Sequence, residues 1–128
     1  MASPLRVGII GCGKIANVDH APGYNSLPNV KIVSLLDVLP KKIKALKKAH
    51  APDAEGFTDL NKFLASGLDA VSICTPNHLH YPQTMAALEA GLHVLCEKPM
   101  AATPAQTTEM IDAAKAAGKV LQINHTLH

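Results

Sequence analysis

Residues 11–16 read Gly-Cys-Gly-Lys-Ile-Ala, directly after the apolar run Arg6-Val7-Gly8-Ile9-Ile10 and directly before a stretch with helical character. Glycines at the first and third positions and a small residue at the sixth, lodged between a strand and a helix, narrow the available folds more than any other feature of the chain. Gly11 allows a tight turn, Gly13 lets the backbone approach a bulky anion such as a pyrophosphate, and Ala16 lets the helix settle against the strand. The helix then offers unpaired N–H groups and a partial positive charge to that anion. Alone, the spacing is a weak signal. It gains weight from Asp37, 26 residues after Gly11 at the end of the next apolar run, where a ribose hydroxyl would be held.

The rest of the chain continues the alternation that this turn begins. Strands are expected at Arg6–Ile10, Lys31–Leu36, Gly56–Thr58, Ala70–Cys74, His93–Cys96 and Val120–Asn124. Between them, helices are expected from Lys14 to about Ala21, where Pro22-Gly23 interrupts or ends the helix, and over Pro40–His50 with a proline in the first turn. Further helices are expected over Leu60–Ala65 behind an Asp59 cap, over Tyr81–Ala90 up to Gly91, and over Pro104–Ala117 between Thr103 and Gly118. The strands are apolar without alternation, as in a parallel sheet covered on both faces. The expected architecture is therefore α/β: a Rossmann-type doubly wound parallel sheet of about six strands, order 3-2-1-4-5-6, with helices on both faces. No linker, repeat or low-complexity run divides residues 1–128, so they read as one dinucleotide-binding domain.

Composition removes several other classes. With 48% hydrophobic and 17% charged residues the chain is globular in type, and its net charge of +2 gives no nucleic-acid or membrane signal. At 3% aromatic and without tryptophan it lacks a base-stacking platform. No apolar run reaches the roughly 20 residues that span a bilayer, and Met1 to Arg6 lacks a signal-peptide core, so a cytoplasmic location is expected. Cys12, Cys74 and Cys96, odd in number and set in apolar stretches, read as free thiols of a reducing compartment.

In an open sheet of this kind ligands bind beyond the carboxyl ends of the strands. Two polar clusters fall there: Thr75-Pro76-Asn77-His78-Leu79-His80 after the fourth strand, and Glu97-Lys98-Pro99 after the fifth. Burying Glu97 and Lys98 would be costly unless they are paired, so they reach water, hold each other, or meet a ligand.

The G-x-G-x-x-A turn, the T-P-N-H-x-H loop and the strand-ending E-K-P, in this order, resemble the N-terminal domain of the glucose–fructose oxidoreductase, inositol dehydrogenase and rhizopine-catabolism family over essentially the whole chain. The resemblance implies an NAD(P)-dependent oxidoreductase that exchanges hydride with a ring carbon of a sugar, cyclitol or related polyol. By position it implies that Gly11, Gly13, Lys14, Ile15 and Ala16 line the pyrophosphate and that Asp37 holds the adenosine ribose. Thr75, Pro76, Asn77 and His80 border the ribose and nicotinamide side, Glu97 bonds a cofactor ribose, and Lys98 is the catalytic residue, set beside the substrate hydroxyl and oriented by Pro99. Asp37 favours NAD because it would repel the 2′-phosphate of NADP. Lys41 and Lys42 leave NADP as an alternative, although Lys41, Lys44 and Lys48 read better as a solvated helix face.

Family members continue into a substrate-binding α/β domain, which is absent from these residues. The expectation is a piece of a longer enzyme that is not catalytically competent alone, with a sugar or polyol as partner only when the second domain is present and a homo-oligomer as a further expectation. The rival from another class is a non-catalytic Rossmann module that senses a dinucleotide or another adenine ligand. A metal centre built from His78, His80, His93, Cys74 and Cys96 is disfavoured for want of a ligand-spaced pair, so no metal is expected. Redox sensing by the thiols is disfavoured against inert buried sulfur. His125 and His128 read as tail residues and not as catalytic groups.

Overall fold

The computed structural model describes residues 3–97 and 103–124. Six strands form a single parallel sheet: β1 (Leu5–Ile10), β2 (Val30–Leu36), β3 (Glu55–Phe57), β4 (Ala70–Ile73), β5 (His93–Glu97) and β6 (Leu121–Asn124), in the order β3-β2-β1-β4-β5-β6. This is the doubly wound order expected. Its direction reverses beside β1, between the carboxyl ends of β1 and β4.

Successive strand residues point to opposite faces, and both faces are apolar. Ile9 and Leu35 join Ile32, Ile43 and Leu46 in one buried cluster, while their neighbours Ile10 and Leu36 join Phe63, Val71, Ile73, Leu88 and Val94 in the other. Burial on both sides is why the strand sequences do not alternate.

The helices follow local chemistry. In α2 (Pro40–His50), Pro40 occupies the first turn, where a missing N–H costs nothing. Asp59 caps α3 (Leu60–Leu64) by accepting from the Lys62 N–H at 3.2 Å, and Thr103 caps α5 (Pro104–Ala117) by accepting from the Gln106 N–H at 3.1 Å. Between them, α4 (His80–Glu89) follows a short 3₁₀ turn, Asn77–Leu79.

The first helix departs from expectation. It does not stop before Pro22-Gly23: a π-helical turn, Ala16–His20, leads into α1 (Ala21–Asn25), which contains both residues. Pro22 has no N–H to donate, and its ring would strike the preceding turn of a regular α-helix. The wider turn, closed by the Ala21 N–H on the Ala16 carbonyl, takes up that conflict.

Among the described residues, no helix is long and apolar enough to cross a membrane.

Candidate functional site

The reversal point of the sheet is held by short backbone contacts. The Cys74 N–H donates to the Ile10 carbonyl at 2.8 Å, and the Gly11 N–H donates to the Leu36 carbonyl at 2.7 Å. Gly11 has φ +90°, and a Cβ there would lie 2.9 Å from the Cys74 carbonyl carbon, so both conformation and space require glycine. Gly13 differs in kind. A Cβ on it would meet no protein atom within 4 Å, and the residue lines the cavity at this point, so the space over it opens to the cavity and not to the core. The helix begins at residue 14. Asn17 Nδ2 secures the turn by donating to the Gly13 carbonyl at 2.8 Å and the Cys12 carbonyl at 3.3 Å.

Asp37 closes β2 beside this turn. One oxygen accepts from the Cys12 N–H at 2.8 Å and the other from the Leu39 N–H at 2.9 Å. Half-buried and on the cavity wall, the carboxylate is oriented by backbone, and each oxygen retains acceptor capacity for a further donor such as a ribose hydroxyl.

The cavity encloses about 460 Å³ between the glycine turn, the Asp37–Leu39 segment and the loop after β4, with Lys42, Thr75, Pro76 and Gln83 on its walls. Size alone does not select it. A groove of about 510 Å³ along α2 and β3 is slightly larger, yet it is walled by three lysines with Ile43 and Phe57 and lacks the turn.

Ala16 is fully buried beneath the helix start, Ile15 is half-buried and Lys14 is exposed; neither Lys14 nor Ile15 lines the cavity. His80 is buried and acts on the loop from behind: its Nε2–H donates to the Thr75 carbonyl at 2.7 Å. His78 lines the cavity in its place. Asn77 is exposed at the start of the 3₁₀ turn, off the wall. Lys98 and Pro99, with His125 and His128, lie outside the described residues.

Glu97, the last residue of β5, is 8% exposed and pairs through Oε1 with Nε2 of His20, itself 5% exposed at the end of the π turn. Asp19 lies close, and one donor atom from each of Asp19, His20 and Glu97 falls within 4.8 Å of the others. Among the described residues this is the one cluster of metal-ligand type, and it is not the histidine and cysteine set that sequence reasoning weighed. That reasoning passed over His20 because its partner is distant in the chain, and it passed over Asn17 although an Asn four residues after Gly13 carries the signal of a side chain folding back on a turn.

The thiols are free. Burial first and the Asp37 carboxylate second push Cys12 up to about 12, burial pushes Cys96 up to about 11, and burial raises Cys74 well above the ordinary thiol range. All three therefore stay protonated near neutrality, as inert sulfur does.

A strand, a glycine turn with open space over Gly13, a helix start and an oriented acid at the end of the next strand together define a dinucleotide-binding domain. The comparisons with known proteins agree. Residues 5–125 match the family described as an oxidoreductase family with an NAD-binding Rossmann fold, the Gfo/Idh/MocA family, and the chain belongs to it. It is 55% identical over 123 residues to the 1,5-anhydro-D-fructose reductase of Ensifer adhaerens, covering 95% of this chain and 36% of that protein. It is 42% identical over 120 residues to the D-glucoside 3-dehydrogenase of Escherichia coli K12, covering 94% of this chain and 34% of that protein. Among solved structures, the WlbA dehydrogenase of Bordetella pertussis, in complex with NADH and UDP-GlcNAcA, superposes with a TM-score of 0.83 at 32% identity, over 95% of this chain and 35% of that one. The chain thus spans about a third of the length of the relatives it matches.

Proposed function

We propose that the protein carrying this chain is an NAD-dependent oxidoreductase acting on a sugar, cyclitol or related polyol, and that these residues supply its cofactor half. The observation that carries the reading is the open space over Gly13 beside an Asp37 already oriented by two backbone N–H groups. When bound, NAD supplies the hydride acceptor or donor. The backbone from Gly11 to Ala16 and the helix start hold the pyrophosphate, and Asp37 accepts from the adenosine ribose. Thr75 and Pro76 wall the cavity and His80 holds the loop that carries them, while the resemblance assigns Asn77 to that loop's cofactor side and Glu97 to the second ribose. Lys98 stands next in sequence to Glu97, where an ammonium favours negative charge developing on a substrate oxygen. The relatives' activities, a 1,5-anhydro-D-fructose reductase and a D-glucoside 3-dehydrogenase, support the substrate class.

Asp37 makes NAD the preferred cofactor, since a second negative charge beside it would be repelled. The test is to assay the complete protein with NAD and NADP against a panel of sugars and cyclitols, beside its Lys98→Met variant. Turnover with NAD that is lost in Lys98→Met is expected. A protein that binds NAD and turns over no polyol would instead be a dinucleotide sensor.

A further inference from the structure

Thr75 and Gln83 both line the cavity, and they are joined: the Thr75 hydroxyl donates from Oγ1 to Oε1 of Gln83. A hydroxyl donor engages the carbonyl oxygen of the amide, so the NH₂ group is turned to the other side. Its Nε2 has no hydrogen-bond partner among the described residues. The function proposed above leaves this donor unused.

Its place in the cavity follows from Thr75. A Cβ built on Gly11 would lie 3.0 Å from Thr75 Cγ2, so Thr75 turns its methyl to the glycine turn and its hydroxyl to Gln83. Gln83 therefore stands on the side of Thr75 away from the pyrophosphate-binding backbone. Leu79, four residues before Gln83 and one helical turn away, lines the cavity on the same side. Across from them, Val38 and Leu39 line it directly after Asp37, 83% and 51% exposed, and Leu60 completes the apolar part.

Aliphatic walls beside a ribose-holding acid suit a flat ring, and a purine in such a place carries neutral ring nitrogens that accept hydrogen bonds. Pockets of this kind take their selectivity from a few fixed polar groups. An amide whose rotation is already set by Thr75 loses little freedom on binding. The pyrophosphate needs no such donor, being served by the backbone N–H groups of the turn and helix start.

We propose that Gln83 is a specificity-determining residue for the cofactor: its Nε2–H donates to a ring nitrogen of the adenine base, in the orientation set by the Thr75 hydroxyl. The proposal rests on the reading of this cavity as the dinucleotide site.

The test uses the complete protein and its Gln83→Leu, Gln83→Glu and Thr75→Val variants. NAD is titrated by calorimetry, and adenosine, which has the base and ribose but no phosphate, by NMR. Gln83→Leu and Gln83→Glu are expected to weaken both ligands about fivefold, the share of one neutral hydrogen bond, and Thr75→Val about twofold. The bond is to the adenine end of the cofactor and not to its reacting end. KM for NAD is therefore expected to rise by the same factor while kcat at saturating NAD stays within about twofold. In ¹⁵N-resolved spectra of the parent, adenosine is expected to shift the Gln83 side-chain NH₂ signal. Unchanged affinity for adenosine in both Gln83 variants would overturn the proposal, as would an NH₂ signal that adenosine does not move. Weaker NAD with unchanged adenosine would overturn it too, by giving the amide to the phosphates. Should Gln83→Leu fail to fold, Gln83→Glu, which keeps the shape and the acceptor for Thr75, decides together with the parent's NH₂ signal. A parent that binds neither NAD nor adenosine would sink the reading of the cavity itself. That result is distinct from a parent that binds both while the Gln83 variants bind them equally well.

Discussion

Two carboxylates close parallel strands on the same edge of the sheet, and each reaches a residue of the segment that links β1 to α1. Asp37 follows directly on β2, is half-buried, and is held by the backbone N–H groups of Cys12 and Leu39. Glu97 ends β5, is buried, and is paired with the side chain of His20. The difference lies in what each depends on. A backbone donor is present whatever residue supplies it, so the orientation of Asp37 follows from the fold. Glu97 is paired with one particular imidazole, so that contact depends on the identity of residue 20. The first arrangement survives any substitution that keeps the backbone of the turn, and the second does not survive a change at residue 20.

Substitutions can break this contrast in order of size. Gly11→Val removes the turn on which both acids rely: φ +90° is unfavourable for valine, and its Cβ would press on the Cys74 backbone. A loss of about 4 kcal/mol is expected, read as a shift in the urea midpoint. Next, His20→Leu leaves the Glu97 carboxylate buried without its imidazole and is expected to cost about 3 kcal/mol, whereas the double variant His20→Leu/Glu97→Leu should return to within about 1 kcal/mol of the parent. A double variant no better than the single would place the pair's value in stability, against the account. Asp37→Ala removes an acceptor from two partly solvated N–H groups, so only about 1.5 kcal/mol is expected to be lost, together with the discrimination between NAD and NADP.

The sequence carried much of this, and the boundary between what was legible and what was not is physical. The caps Asp59 and Thr103 could be read because a capping side chain and its N–H lie three residues apart, and the Pro40 helix start is equally local. The strand order followed from the glycine turn and the alternation of elements, because doubly wound sheets reverse at that turn. The continuation of the first helix through Pro22 was not legible: a proline reads as a stop unless the preceding turn widens, and nothing local announces a π turn. That His78 and not His80 lines the cavity was not legible, because a two-residue offset turns neighbouring histidines to different sides of a helical segment. His20 was invisible as a partner of Glu97, since only the assembled sheet brings the two together.

A smaller effect tests the buried thiols, of which Cys74 lines the cavity. Cys12, Cys74 and Cys96 have folded-state values raised above the ordinary thiol value, so the folded chain keeps protons that the unfolded chain releases above about pH 9. Their contribution to stability is complete below that pH and is lost as pH rises toward their folded values. Between pH 9 and 10 each buried thiol should contribute a fall of up to about 1.4 kcal/mol per pH unit, and Cys74→Ala should flatten the slope by one thiol's share. A pH-independent midpoint over this range would show the thiols to be solvated.

The central claim is that the space over Gly13, beside the oriented Asp37, holds a dinucleotide. Its most direct test is calorimetric titration of NAD into the complete protein and into Gly13→Val. Because a Cβ at this position meets no protein atom, the variant should keep its thermal midpoint. The account predicts saturable one-to-one binding by the parent and at least about tenfold weaker binding by the variant, about 1.4 kcal/mol. A parent that binds no NAD, or a variant that binds it equally well, would contradict it.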